Sequence, residues 1–243
     1  MASVTPYKNN EDSKKSQVAK MFDNIADNYD FLNRFLSLGI DQYWRKKALK
    51  LLRQKANVNH VLDIATGTGD LAIMLAKQDP KIQIIGADIS QNMLDIGINK
   101  VDKLKLENQI KFVKADSEIL PFEHNTFDGV MVAFGVRNYE NLEKGLSEMC
   151  RVLKPGGKMV ILEFSRPRIF PIKQLFQFYF RYILPLIGKI ISKDQRAYSY
   201  LFESVQQFPD FEQFEDILKK IGMHETSHTP LTFGICNIYS GIK

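Results

Sequence analysis

The stretch Val61-Leu62-Asp63-Ile64-Ala65-Thr66-Gly67-Thr68-Gly69-Asp70 constrains this chain most, because an apolar strand empties into a glycine turn that opens a helix. Without a Cβ, Gly67 and Gly69 let the backbone turn sharply and let a ligand approach closely. Ala72 stands where the G-x-G-x-x-G/A fingerprint admits a small residue for helix–strand packing. An acid, Asp88, ends the next apolar run, Ile82 to Ala87, at about the twenty-residue spacing of a ribose-hydroxyl acceptor. The alternative for such a turn is a tight strand-to-helix connection that holds no ligand.

The acids around the turn discriminate between ligands. A dinucleotide brings its pyrophosphate to the helix N-terminus, where neighbouring carboxylates repel it. Here Asp63 precedes the turn and Asp70 follows it. S-adenosylmethionine has no phosphate and carries an ammonium and a sulfonium, so the turn favours a sulfonium cofactor.

Strands and helices alternate from His60 onward: His60 to Ala65, a helix from Asp70, Ile82 to Asp88, a helix from Ser90, Ile110 to Lys114, and Phe127 to Phe134. The last run is almost continuously apolar after Asp128, as a strand covered on both faces should be. Asn141 is placed to cap a helix carrying Leu142, Leu146 and Met149, and the Lys154-Pro155-Gly156-Gly157 turn precedes a fifth strand, Lys158 to Glu163. Such alternation predicts an α/β fold with a doubly wound, mostly parallel sheet. With 243 residues, 44% of them hydrophobic, one large domain has enough apolar material for a core.

Residues 1–17 are polar and read as a disordered tail, without the apolar centre of a secretory signal, and residues 18–243 as one domain. Within it, 18–57 form a helical lid, 58–165 the cofactor-binding core, 166–207 an apolar insertion and 208–243 a C-terminal helix and hairpin. The lid has one helix over Val18 to Tyr29 and a second holding Trp44, Ala48, Leu49 and Leu52. Asp210, with Gln213 three residues on, predicts a capping box for the last helix.

The net charge of +5 suits an anionic membrane surface as well as it suits nucleic acid. Cys150 and Cys236 have no paired spacing, and His60, His124, His224 and His228 form no metal-ligand grouping, so reduced buried thiols and no metal are expected. No uninterrupted apolar run reaches the roughly 18 residues that span a bilayer. The expectation is a cytoplasmic protein.

Taken together, the turn at Asp63 to Gly69, Asp88, Asp116 after the third strand and the Pro-Gly-Gly turn resemble class I S-adenosylmethionine-dependent methyltransferases. That resemblance implies a Rossmann-like, seven-stranded sheet ending in an antiparallel hairpin. More narrowly, the chain is similar to the quinone-biosynthesis C-methyltransferases of the UbiE/MenG/Coq5 type. Tyr29, Asp30, Asn33, Ser37 and Trp44 match the first family signature, with Leu32 for the usual Met and Asp41 for the usual His. Arg151 to Gly157, Glu163 and Ser165 match the second. Phe134-Gly135-Val136-Arg137-Asn138 lies between them, and Leu231 to Cys236 echoes the C-terminal run.

The resemblance carries cofactor contacts onto Thr68 in the turn, Asp88 and the Asp116-Ser117 pair, beside Asp63, Gly67 and Gly69. It implies methylation of a polyprenylated quinol at a ring carbon, 2-demethylmenaquinol before the ubiquinone precursor. Arg137, at the carboxyl edge of the sheet, is the candidate for stabilising a phenolate, and Asn138 for orienting the ring or Arg137. Tyr29 and Asp30, on the lid, are candidates for positioning a hydroxyl or accepting its proton. The plainer alternatives are that Arg137 pairs with Glu140 or Glu148, Tyr29 packs, Asp30 caps a helix and Asp116 is an exposed loop acid. Rival functions are methylation of another hydrophobic acceptor, and a cofactor-binding scaffold in a quinone-assembly complex.

Ile169 to Ile191 is expected to form the quinol entrance and the peripheral membrane contact at the inner face. Ile172, Leu175, Phe176, Tyr179 and Ile183 fall on one helical stripe that packs on the domain, which leaves Phe178 and Tyr182 outside it. An apolar surface is also compatible with a homodimer. Nucleic acid is not among the expected partners.

Overall fold

The apolar runs pair into a single sheet of seven strands in the order β3-β2-β1-β4-β5-β7-β6. These are β1 (His60–Ile64), β2 (Gln83–Asp88), β3 (Ile110–Lys114), β4 (Phe127–Ala133), β5 (Leu153–Phe164), β6 (His224–Leu231) and β7 (Cys236–Ile242). β1 to β5 run parallel, whereas β7 pairs antiparallel with both β5 and β6. The computed structural model describes residues 4–7, 10–54, 58–184 and 196–243. Both faces of the sheet are covered. Val61, Met131, Val160 and Leu162 join a core beneath α2 (Ile40–Leu52) and α3 (Asp70–Ala76). The alternate residues Leu62, Ile64, Val130, Val132, Met159 and Ile161 face a second core. It holds residues of α5 (Leu142–Val152) and α8 (Glu212–Lys220). This period of two, apolar in both phases, is why the strands read as continuous apolar runs.

Strand order reverses between β1 and β4, and the carboxyl ends meet there: Ile64 lies opposite Ala87 on one side and Val132 on the other. In doubly wound sheets that crevice takes the ligand. A third apolar cluster roofs it. It unites Val18, Met21 and Leu32 of α1 (Lys14–Leu36) with Phe176 of α6 (Ile172–Phe178), Phe180 and Leu184 beyond it, and Tyr198 and Tyr200 of α7 (Arg196–Gln207). The remaining helix of the sheet layer is α4 (Gln91–Leu104), capped by the Ser90 hydroxyl, which accepts from the Met93 N–H.

Several expectations need correction. Helix α1 begins at Lys14 and runs to Leu36, so its first turns belong to the fold and Tyr29 and Asp30 sit inside a helix. The segment before it is strapped down: the buried Gln17 side chain accepts from the Tyr7 N–H and donates to the Asn10 and Asp12 carbonyls, while Val4 and Tyr7 pack on the third cluster. Its backbone bonds to a side chain, which polar composition does not reveal.

The expected Lys154-Pro155-Gly156-Gly157 turn is part of β5. Asp210 caps nothing with its side chain, because its carboxylate forks onto the Arg166 guanidinium. Along α6 and the π-helical turn Tyr179–Ile183, the packed residues are Phe176, Phe180 and Leu184, and Leu175 is exposed together with Phe178 and Tyr182. The expected entrance from Pro185 to Ile191 lies outside the described residues. Both cysteines are free and buried. No helix among the described residues is long and apolar enough to cross a membrane.

Candidate active site

The glycine turn divides its labour. Gly67 and Gly69 both adopt left-handed backbone, with φ of 58° and 79°. A Cβ on Gly69 would meet the Phe112 ring at 2.7 Å, so that glycine serves packing, while Gly67 borders a cavity. Asp88, closing β2, accepts from the Gly67 N–H at 2.8 Å and from the Ser90 N–H at 2.9 Å, which fixes its carboxylate at the cavity edge. Burial pushes its pKa up, against the backbone N–H bonds that lower it.

Asp116, Ser117 and Asn138 border the same cavity. Asp116 is no free loop acid: it accepts from the Glu118 N–H and pairs with Lys15 of α1. The Asn138 Oδ1 is buried and has no hydrogen-bond partner among the described residues.

Asp63, Thr68, Gly69 and Asp30 do not line the cavity. Asp63 is fully buried on β1, accepts from the Thr66 hydroxyl at 2.6 Å, and is pushed up to about 7 by desolvation. The Thr68 hydroxyl donates to Asp30, and Lys100 of α4 reaches Asp30, Thr68 and Asp70 at 2.9, 3.0 and 2.5 Å. These four side chains form a clasp that ties α1 to the glycine turn, and Asp30 borders neither this cavity nor the apolar one next to it.

On the other side of Phe22, Tyr29 and Phe134 lies a second, apolar cavity of about 270 Å³, walled by α1, α2, the π-helical turn after α6, and α7. Those three rings border both spaces. Arg137, in the 3-10 turn Val136–Asn138, lines the apolar one. It pairs with Glu163, the penultimate residue of β5, at 2.8 Å and also donates to the Phe134 carbonyl. The partner is thus a strand glutamate, while Glu148 binds Arg151 and Glu140 accepts from the Lys14 N–H. Glu163 has no solvent exposure, and burial raises its pKa against the Arg137 charge.

Tyr29 is held above its ordinary value by burial, so at neutral pH it is a phenol that can donate and not a base. Sequence reasoning gave no role to Asp41, Arg45 or Tyr200, which line the apolar cavity. For Arg45 the one available signal was a charge four residues after Asp41 on an otherwise apolar helix face; Tyr200 carried none. Among the described residues no cluster of three His, Cys, Asp or Glu side chains is placed to hold a metal.

A doubly wound sheet with its crevice at the switch point, an acid closing β2 and a second cavity across a shared wall is the layout of a group-transfer enzyme with two substrates. Solved structures share the fold. Haemonchus contortus phosphoethanolamine N-methyltransferase 2 in complex with S-adenosyl-L-methionine aligns with TM-score 0.65 at 20% identity, over 91% of this chain and 60% of that one. A SAM-dependent methyltransferase from Thermotoga maritima aligns with TM-score 0.64 at 18% identity, over 92% and 99%.

This chain is an S-adenosylmethionine-dependent methyltransferase with the Rossmann-like fold. It belongs to the ubiE/COQ5 methyltransferase family, whose profile matches residues 10–243. A demethylmenaquinone methyltransferase of Bacteroides fragilis is 47% identical over 99% of this chain and 97% of its own length. One from Porphyromonas gingivalis is 42% identical over 99% and 98%. The ubiquinone/menaquinone biosynthesis C-methyltransferase UbiE of Geobacter sulfurreducens is 45% identical over 99% and 93%. The chemistry is therefore C-methylation in quinone biosynthesis.

Proposed function

We propose that the chain methylates a ring carbon of a polyprenylated quinol, with 2-demethylmenaquinol the preferred acceptor. The observation that carries this reading is the apolar cavity sharing Phe22, Tyr29 and Phe134 with the cofactor cavity, with Arg137 on its wall. Two of the relatives above are named for demethylmenaquinone, which favours that acceptor over the ubiquinone precursor.

S-adenosylmethionine supplies an electrophilic methyl group on sulfur. Asp88 accepts from the ribose hydroxyls, Asp116 from the adenine amino group, and Ser117 and Gly67 border the ligand. Asp63, Thr68 and Gly69 act one step back by shaping the turn. Loss of the proton from a quinol hydroxyl places electron density on the adjacent ring carbon. The carbon–methyl bond forms as the sulfur–methyl bond breaks, and the ring regains aromaticity by losing the proton on that carbon.

Arg137, oriented by Glu163, stabilises the phenolate oxygen, and the Tyr29 phenol donates to a ring oxygen. Asn138, with its free Oδ1 on the cofactor side, orients the ring edge or the donor across the wall. Asp30 serves through the clasp and not as a base. The exposed Phe170, Leu175, Phe178 and Tyr182, flanked by Lys173 and Arg181, give a peripheral contact with the inner face of the membrane. A homodimer would use the same face.

Mass spectrometry of the quinones in a deletion strain tests the acceptor. Accumulated 2-demethylmenaquinone supports the proposal, and an accumulated methoxy-benzoquinol precursor assigns the other quinol. Unchanged label transfer from methyl-labelled S-adenosylmethionine to quinones would leave a scaffold role.

A further inference from the structure

Arg45 is a buried cation without adequate partners. It lies on α2, is 7% exposed, and lines the apolar cavity. Its guanidinium makes no hydrogen bond among the described residues, and its buried Nε faces only the Asp41 carboxylate. Its one ion pair among the described residues, with Asp41, spans 3.5 Å. Asp41 is already engaged, since it accepts from Ser37 and Gln42 and faces Arg34 at 3.9 Å. Burying a guanidinium Nε without a hydrogen bond is costly, and the fork on the cavity wall has donors left for an anion that arrives with a ligand.

Position says which anion. Arg45 Cζ lies 5.5 Å from the centre of the Phe134 ring, and Phe134 borders both cavities. The Arg45 charge also acts on Asp63, just before the glycine turn, and on Asp70, just after it. The adenine and ribose sites lie after β3 and β2, on one side of β1, so the amino-acid end of the cofactor extends the other way, toward β4 and Phe134. Helix α2 approaches from that side, packing on β4 and β5. A planar guanidinium matches a carboxylate in charge and geometry better than it matches a neutral quinol hydroxyl.

We propose that Arg45 binds the α-carboxylate of the methionine moiety of S-adenosylmethionine, with Asp41 holding the guanidinium in place until the ligand takes it over. This rests on the cofactor reading of the Asp88 cavity. It makes α2 a sensor of the complete cofactor: the same helix that walls the acceptor cavity is fastened when the amino-acid end is in place.

Calorimetric titration with two ligands, S-adenosylhomocysteine and 5′-methylthioadenosine, which lacks the amino-acid end, separates the outcomes. Arg45→Gln is expected to weaken S-adenosylhomocysteine binding about ten- to a hundredfold and leave methylthioadenosine unchanged, with Arg45→Lys in between. Circular dichroism melts establish that both variants are folded, and Arg45→Lys serves if Arg45→Gln is not. Equal weakening of both ligands would make Arg45 a structural residue and overturn the proposal. Unchanged binding of both ligands with lowered quinol turnover would give Arg45 to the acceptor, and overturn it equally. Asp88→Ala is the independent control: it should weaken both ligands, and if it weakens neither, the cofactor reading itself fails.

Discussion

Two buried acids carry the residue-scale logic, and each makes a different demand on its surroundings. Asp63 is pushed from an ordinary 3.8 up to about 7 by desolvation. Between those values the folded protein keeps a proton that the unfolded chain has released. Its contribution to stability is therefore complete below about pH 4 and is lost as the pH rises through about 7. Asp63→Asn removes this slope while keeping an acceptor for Thr66. In urea titrations the wild type should lose up to about 4 kcal/mol relative to the variant between about pH 4 and pH 8. Parallel pH curves would mean that Asp63 is ionised throughout. Glu163 instead meets a full counter-charge, and Glu163→Gln leaves the Arg137 guanidinium buried against a neutral amide. That should cost about 3 to 5 kcal/mol in denaturant and lower turnover. Arg137→Lys, which keeps the charge but loses the planar fork, should lower single-turnover methyl transfer while cofactor affinity holds. Unaltered turnover would confine Arg137 to fastening the loop.

Among the elements, the lid is held by polar clasps at several points along α1: Lys15 to Asp116, Asp23 to the Ser90 hydroxyl, and Asp30 to Thr68 and Lys100. Lys100 serves Asp30, Asp70 and Thr68 together, so Lys100→Met should free the middle of α1. Global stability should fall by no more than about 1 kcal/mol, as for partly exposed ion pairs, but hydrogen exchange in the 23–36 stretch should accelerate. Exchange unchanged there would show that apolar packing alone holds the lid. None of these clasps was legible in the sequence, because each joins residues far apart along the chain. The sheet was legible for the opposite reason: β1, β2 and β4 are apolar on both faces and end at their acids or glycines, so local composition and tertiary burial agree. That Asp88 and Asp116 border the cavity was legible because a place at or just after the end of a strand fixes their edge of the sheet. Arg45 and Tyr200 could not be read, since their meaning comes from what fails to pair with them. Leu175 was misassigned because apolar residues occupy more than one face of α6 and the turn after it, which leaves the phase of a packed stripe to tertiary contacts.

For the whole molecule, the proposed function brings two kinds of substrate to one shared wall, and exposed apolar residues belong to the same helical run as the lining of the cavity proposed for the less soluble one. Tyr179, Phe180 and Leu184 line that cavity, while Phe178 and Tyr182 of the same helical run are 56% and 53% exposed with their rings 5.4 Å apart. Leu175 joins them at 60% and Phe170 at 77%, so the outward face is more apolar than the sequence stripe implied. Arg181, with its Cζ 5.7 Å from the Tyr182 ring, and Lys173 put positive charge at its margin. Rings that enter the interfacial layer with cations near lipid phosphates would set the cavity mouth where a polyprenyl tail can stay in the bilayer while the head group enters. Phe178→Ser with Tyr182→Ser should then reduce sedimentation with anionic liposomes and raise KM for a long-tailed quinol several-fold. Both rings are solvent-exposed, so the melting temperature should hardly move. A tail-less analogue should be turned over as before, because it reaches the cavity from water. Loss of activity on both substrates, together with a halved mass in sedimentation equilibrium, would assign this face to contact between two copies of the chain. Full retention of liposome binding would move the membrane contact to another surface.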